Sequence, residues 1–168
     1  MSTESLGLKY YTVGQPVTLE GKTLMYCNGI ENTLDDATGS ASLISRAFGN
    51  KQVILCHNPT TIQEFGDVKW EQERHELKLA ASLQEKLSHY ALISSSAVSV
   101  ILFVHSHGAF LATCALKKLD QEVRNKIRIY SFGGVTMIPK CLGNLVRNCV
   151  INEDFFSRIG NIFRGNTP

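Results

Sequence analysis

The chain has 168 residues, of which 43% are apolar and 19% are charged, and its formal net charge is +2. A chain of this size can bury one sizeable core but is short for two domains, so we predict a single domain over residues 1–168. Its composition excludes disordered and collagen-like proteins.

The first half of the chain contains two apolar runs, Thr23–Cys27 and Val53–Cys56. Continuous apolar runs of this length predict strands that are buried on both faces. Between them we predict a helix that is capped by Asp35 or Asp36 and extends to about Phe48.

The longest predicted helix covers Trp70–Ala91, where apolar residues recur at steps of three and four among charged ones. Next, Val98–Val104 gives the strongest strand signal, and Ala109–Lys118 favours a helix. The positions assigned to the buried face of the long helix are Trp70, Leu77, Ala80, Ala81, Leu87 and Ala91.

Two further strands are predicted over Ile127–Phe132, which ends at Gly133-Gly134, and over Val146–Ile151. Strands that alternate with helices predict an α/β fold, a mostly parallel sheet with helices on both faces. Ligands bind at the carboxyl ends of the strands in such sheets. The residues expected at that edge are Asn28, Gly29, Ile30, His57, Ser106, Gly133, Gly134, Glu153 and Asp154.

The segment Val104-His105-Ser106-His107-Gly108 joins a predicted strand to a predicted helix. A tight turn there raises the serine hydroxyl above the sheet, and the glycine avoids a side-chain clash against the strand. The N–H of His107 then points to where an oxyanion would form. Ser106 is therefore a candidate nucleophile, and the alternative is a serine that only caps the helix.

With this segment and the Asn28-Gly29 turn, the chain resembles the α/β-hydrolase superfamily, in particular its lipase- and esterase-like members. It is also similar to bacterial proteins of the chlamydial type that pair an Asn-Gly turn with an x-H-S-x-G elbow. The resemblance covers roughly residues 24–156, and Val104 replaces the usual first glycine of the motif. It implies an α/β-hydrolase-like sheet in a minimal or truncated form.

The resemblance also implies roles for individual residues. Ser106 corresponds to the nucleophile, and the backbone N–H groups of Ile30 and His107 correspond to the oxyanion hole. Asp154 corresponds to the acid that follows the nucleophile in the chain, with Glu153 as the alternate.

The histidine of the family pattern is missing, since it should follow the acid. A serine hydroxyl without a base is a weak nucleophile at neutral pH. Three explanations stay open: His107 folds back, another subunit supplies a histidine, or the chain is the front part of a longer ancestral hydrolase. The third is the simplest, and it predicts an exposed sheet edge where a homodimer can form. The histidines, all before Asp154, are His57, His75, His89, His105 and His107.

Two functions of different classes are compatible with these residues. One is acyl hydrolysis at Ser106 of a small-molecule or lipid ester, impaired by the missing base. The other is a non-catalytic relative that acts as a binding or interaction module. A third possibility is the binding of an anion or a nucleic acid by residues 123–168, which hold seven Lys or Arg against two acids. These basic residues are scattered singly, which favours a solvated face, so no nucleic acid is expected.

The remaining features are mostly absences. The five cysteines form no C-x-x-C pair and read as reduced thiols, and no motif for a metal or a cofactor occurs. No apolar run is long enough for a signal peptide or a membrane span. We therefore expect no transmembrane segment and a cytoplasmic protein, although export without a cleaved signal fits the same sequence.

Overall fold

A computed structural model describes residues 7–61 and 69–150, with side chains from residue 73 onward in the helix that begins at Lys69. The strands are β1 (Lys9–Val13), β2 (Thr23–Cys27), β3 (Val53–His57), β4 (Val100–His105), β5 (Ile127–Phe132) and β6 (Leu145–Cys149). The helices are α1 (Leu34–Ala47), α2 (Lys69–Leu92), α3 (His107–Lys117) and α4 (Gln121–Arg124), with a 3-10 turn at Lys140–Leu142.

The strands form one six-stranded sheet in the order β1-β3-β2-β4-β5-β6. All neighbouring pairs are parallel except β1 and β3, which are antiparallel. The predicted α/β class with a mostly parallel sheet is therefore confirmed. The antiparallel strand β1 was not predicted, because it lies at the edge of the sheet and its residues are exposed or half-buried.

The sheet is covered on both faces, and successive residues of a strand serve opposite layers. On β2, Leu24 and Tyr26 pack with Ala37 and Ala41 of α1. The intervening Met25 belongs to the second cluster, which contains residues of α2 and α3. This two-sided burial explains why the central strands read as continuous apolar runs.

Helix α1 begins at a different cap from the one predicted. Its N-cap is Thr33, whose hydroxyl accepts a hydrogen bond from the N–H of Asp36. The Asp36 carboxylate in turn accepts from the N–H of Thr33, which completes a capping box. The prediction of Asp35 or Asp36 as the cap is therefore wrong, because the aspartate that takes part occupies the third helical position.

The buried face of α2 also differs from the prediction in part. Leu77 is 53% exposed and Ala81 is exposed, so their assignment to the core is wrong. Leucines spaced by four residues occupy that face instead. They are Leu79, Leu83 and Leu87, and only Leu87 was among the predicted positions together with the buried Ala80 and Ala91. The side chain of Trp70 lies outside the described residues.

Helix length and hydropathy also bear on membrane association. Within residues 7–61 and 69–150, no helix combines the length and the apolar character needed to cross a bilayer.

Candidate functional site

Ser106 lies at the carboxyl edge of the sheet, between the end of β4 and the start of α3. Its backbone has φ 51° and ψ −120°, a conformation that L residues rarely adopt. Its side chain makes no capping hydrogen bond to α3. Ser106 is thus the N-cap residue of α3 by position, but its hydroxyl does not form the capping hydrogen bond, so a side-chain cap does not account for the serine.

Two glycines let the backbone approach this turn closely. A Cβ added to Gly108 would lie 2.5 Å from the carbonyl oxygen of Cys27 and 3.0 Å from that of Asn28. A Cβ added to Gly29 would lie 2.8 Å from the Cβ of Ser106. The Asn28-Gly29 turn after β2 is thus packed directly against the serine, as the predicted edge location requires.

The loop after β5 supports the turn from the other side. The N–H of Ser106 donates to the carbonyl oxygen of Phe132 at 3.2 Å. The carbonyl oxygen of Ser106 accepts from the N–H of Ala109 at 3.1 Å and from that of Val135 at 3.4 Å. Gly133, with φ 52°, turns the chain at the end of β5 so that Val135 reaches this position.

The segment after Gly29 carries Ile30, whose N–H was assigned to the oxyanion hole. The N–H of Glu31 donates to the carbonyl oxygen of Thr60 at 2.9 Å. The carbonyl oxygen of Ile30 accepts from the side chain of Asn32 at 3.0 Å. A ring nitrogen of His57 lies 3.1 Å from the carbonyl oxygen of Asn32. Side chains and the loop after β3 therefore define the path of this segment.

A buried asparagine pair joins the ends of β2 and β3. The side-chain amide of Asn28 donates to the carbonyl oxygens of Gly29, at 2.7 Å, and of Asn58, at 2.9 Å. In return, the N–H of Asn58 donates to Oδ1 of Asn28 at 2.8 Å. Both asparagines are buried, so these bonds form where water does not compete for them.

The ring of His107 is buried and both of its nitrogens are engaged. Nδ1 lies 3.2 Å from Nδ2 of Asn58, and Nε2 lies 3.1 Å from Oε1 of Glu76 on α2. The N–H of Thr60 donates to Oδ1 of Asn58, so the Asn58 amide group must present its NH₂ to His107. His107 Nδ1 is thus an acceptor and Nε2 is the donor to Glu76.

This tautomer bears on one of the explanations for the missing base. The lone pair of His107 Nδ1 is occupied by the Asn58 amide, and Nε2 carries the proton that binds Glu76. In this arrangement both ring nitrogens are bonded to side chains other than Ser106. The structure therefore gives no support to the explanation that His107 folds back to serve as the base, since the ring would first have to give up the Asn58 bond.

The remaining histidines occupy other places. A ring nitrogen of His75 lies 3.1 Å from the Thr60 hydroxyl, and His89 packs edge-on against Tyr90. Burial lowers the pKa of His105. The ring bonds described for His57, His75 and His107 lead to Asn32, Thr60, Asn58 and Glu76.

The structure brings Ser106, His107 and the Gly29-Ile30 segment together, whereas Asp154 and its alternate Glu153 lie outside the described residues. Sequence analysis missed Asn58 and Glu76, and its one signal for Asn58 was a position just after a buried strand. In the described part of the chain, no group of three His, Cys, Asp or Glu side chains is arranged to hold a metal ion.

Comparison of the chain with protein-family models, with curated proteins and with solved structures yields no match. The site is therefore interpreted from its own geometry and chemistry.

Proposed function

We propose that this chain is an α/β-hydrolase-like protein and that Ser106 is the nucleophile of an acyl-transfer site. The observation that carries the proposal is the backbone of Ser106, with φ 51° and ψ −120° on a turn between a buried strand and a helix. Such a conformation costs about 1–3 kcal/mol in a residue other than glycine and is concentrated at functional sites. A strained strand-to-helix turn of this kind is the defining feature of the nucleophile elbow.

The proposed reaction begins with attack of Ser106 Oγ on the carbonyl carbon of a small-molecule or lipid ester. The carbonyl oxygen becomes an oxyanion, for which the N–H groups of Ile30 and His107 are the donors. Collapse of this intermediate releases the alcohol and leaves an acyl group on Ser106. Water then attacks the acyl group, which releases the acid and restores the hydroxyl.

The serine proton must pass to a base during the first step, and Asp154 is the residue that we assign to support that base. The ring nitrogens of His107, the histidine that follows Ser106, are bonded to Asn58 and Glu76, so we expect slow turnover. In well-studied serine proteases, an oxyanion hole and substrate binding alone retain about 10³–10⁴-fold acceleration over water. We expect a rate acceleration over water in this range for a site without a histidine base.

The second candidate function is a non-catalytic binding or interaction module on the same scaffold. It is favoured by His107, because both of its ring nitrogens are committed to Asn58 and Glu76. A module of this kind keeps the fold and the elbow without turnover.

Hydrolysis of p-nitrophenyl esters with short and medium acyl chains distinguishes the two candidates. The proposal predicts that wild-type protein exceeds Ser106→Ala in initial rate by at least about tenfold. The matched control is Thr113→Val on α3, which removes one buried hydrogen bond to Ala109 and leaves the elbow intact. Equal rates for wild type and Ser106→Ala would contradict the hydrolase proposal and leave the binding module.

A further inference from the structure

Asn58 contacts both segments that supply the proposed oxyanion hole. It follows β3, it is 0% exposed, and its backbone N–H and carbonyl oxygen both bind the side chain of Asn28. Its side-chain Nδ2 donates to Nδ1 of His107, the first residue of α3. One residue thus links the turn after β2 to the first turn of α3.

Asn58 is joined to the Gly29-Ile30 segment through the side chain of Asn28. The Asn28 amide group that binds the Asn58 carbonyl oxygen also donates to the carbonyl oxygen of Gly29 at 2.7 Å. The peptide unit that carries this carbonyl also carries the N–H of Ile30. Asn58 therefore orients, through Asn28, the peptide unit that holds one oxyanion donor.

The hydrogen bond between Asn58 and the ring of His107 has a further partner on each side, Thr60 and Glu76. The N–H and hydroxyl of Thr60 both donate to Oδ1 of Asn58, so its amide group cannot flip without placing two donors face to face. On the far side of the imidazole, Glu76 accepts from Nε2 of His107 at 3.1 Å. The ring is therefore held between α2 and the loop after β3. The backbone N–H of the same residue, His107, is the second proposed oxyanion donor.

We infer that Asn58 is a positioning residue that holds the two oxyanion donors, the N–H groups of Ile30 and His107, in a fixed relation to each other. It acts through Asn28 and His107 and does not touch the substrate. Oxyanion donors act because they are oriented before the reaction starts, so a residue that fixes their relation affects the rate without taking part in the chemistry. The inference rests on the proposed function of Ser106.

The test compares wild-type protein with Asn58→Leu and Asn58→Ala, which remove the amide group but keep both backbone bonds to Asn28. Thr113→Val is the matched control, since it also loses a buried side-chain hydrogen bond but lies outside the link. The first measurement is hydrogen exchange, resolved to residues 28–31 and 106–110. The second is the rate of phosphonylation by a fluorophosphonate. The third is the ³¹P resonance of the adduct, which reports on hydrogen bonds to its phosphonyl oxygen.

We expect the Asn58 variants to exchange faster in residues 106–110, which lose the bond to His107. Exchange should also rise in residues 28–31, because Oδ1 of Asn58 holds Thr60, whose carbonyl oxygen accepts from the N–H of Glu31. The variants should be phosphonylated at least about tenfold more slowly than wild type. Their ³¹P resonance should move towards that of the unfolded adduct, whereas Thr113→Val should match wild type in all three measurements. A purely structural role would lower the unfolding midpoint but leave the ³¹P resonance of the folded adduct unchanged. That result, or unchanged exchange in either segment, would overturn the inference.

Failure of the proposed function is a separate outcome. If wild-type protein forms no adduct, the hydrolase proposal fails, and hydrogen exchange alone decides whether Asn58 couples the two segments. If Asn58→Leu does not fold, Asn58→Ala removes the same amide group without adding apolar volume.

Discussion

At the scale of single residues, the backbone strain of Ser106 is the feature of the site that stability measurements test most directly. A residue other than glycine at φ 51° and ψ −120° is strained by about 1–3 kcal/mol. Ser106→Gly should relieve this strain and raise the free energy of unfolding by about that amount. Ser106→Ala should change it by less than about 0.5 kcal/mol, because no capping bond is lost. Urea denaturation of the three proteins measures both differences.

The opposite pattern would identify an ordinary cap. Loss of an N-cap hydroxyl costs about 1 kcal/mol, so a clear destabilisation by Ser106→Ala without any gain from Ser106→Gly would contradict the strained turn. A gain in stability upon loss of a functional side chain is the usual signature of a site that sacrifices stability for function.

Some residues of the site could be predicted from the sequence, and others could not. Ser106 and Gly108 were found because a local pattern, an apolar strand followed by S-x-G and a helix, specifies the turn. The roles of Asn58 and His107 depend on partners that are 49 residues apart in the chain. The tautomer of His107 follows only from the bonds of Thr60 and Glu76, which no local pattern encodes.

At the scale of elements, the contact between the start of α3 and the end of β2 is the tightest near the site. A Cβ at Gly108 would meet the backbone oxygens of Cys27 and Asn28 at 2.5 Å and 3.0 Å, and neither belongs to a flexible side chain. Gly108→Ala should therefore destabilise the protein by roughly 1–3 kcal/mol, the usual cost of overpacking. Thermal or urea unfolding measures this loss.

The matched control for that substitution is Gly39, in the interior of α1, where an added Cβ would meet nothing within 4 Å. Gly39→Ala should stabilise the protein by roughly 0.5–1 kcal/mol, since alanine is the better helix former. A Gly108→Ala variant as stable as wild type would show that α3 does not pack on β2 as described.

The elements also show which patterns are reliable. The bounds of β2 and β5 agree with the prediction because both strands end at a turn signal, Asn-Gly or Gly-Gly. Strand β2 is a mostly buried apolar run, and β5 begins with alternating buried and half-buried residues. Strand β1 lacked such a run, because an edge strand with exposed or half-buried residues has no need of one. On α2, Leu77 was placed on the wrong face because it lies two residues from the buried series that begins at Leu79.

At the scale of the whole molecule, the parallel sheet assembles the site from four chain segments that follow β2, β3, β4 and β5. This convergence at one edge is a general property of parallel α/β sheets and could be predicted from the order of elements. In the described part of the sheet, β6 is an end strand and pairs with β5. Pairing of two copies at a sheet edge stays a prediction.

The most direct test of the account is the intact mass of the folded protein after incubation with a fluorophosphonate, beside Ser106→Ala and urea-unfolded wild type. Attack by Ser106 Oγ forms an O–P bond and releases fluoride, and the serine proton is lost to a base. The account predicts one adduct on folded wild type and none on either control. Folded wild-type protein that stays unmodified would contradict the central claim, and it would leave the elbow as the scaffold of a binding module.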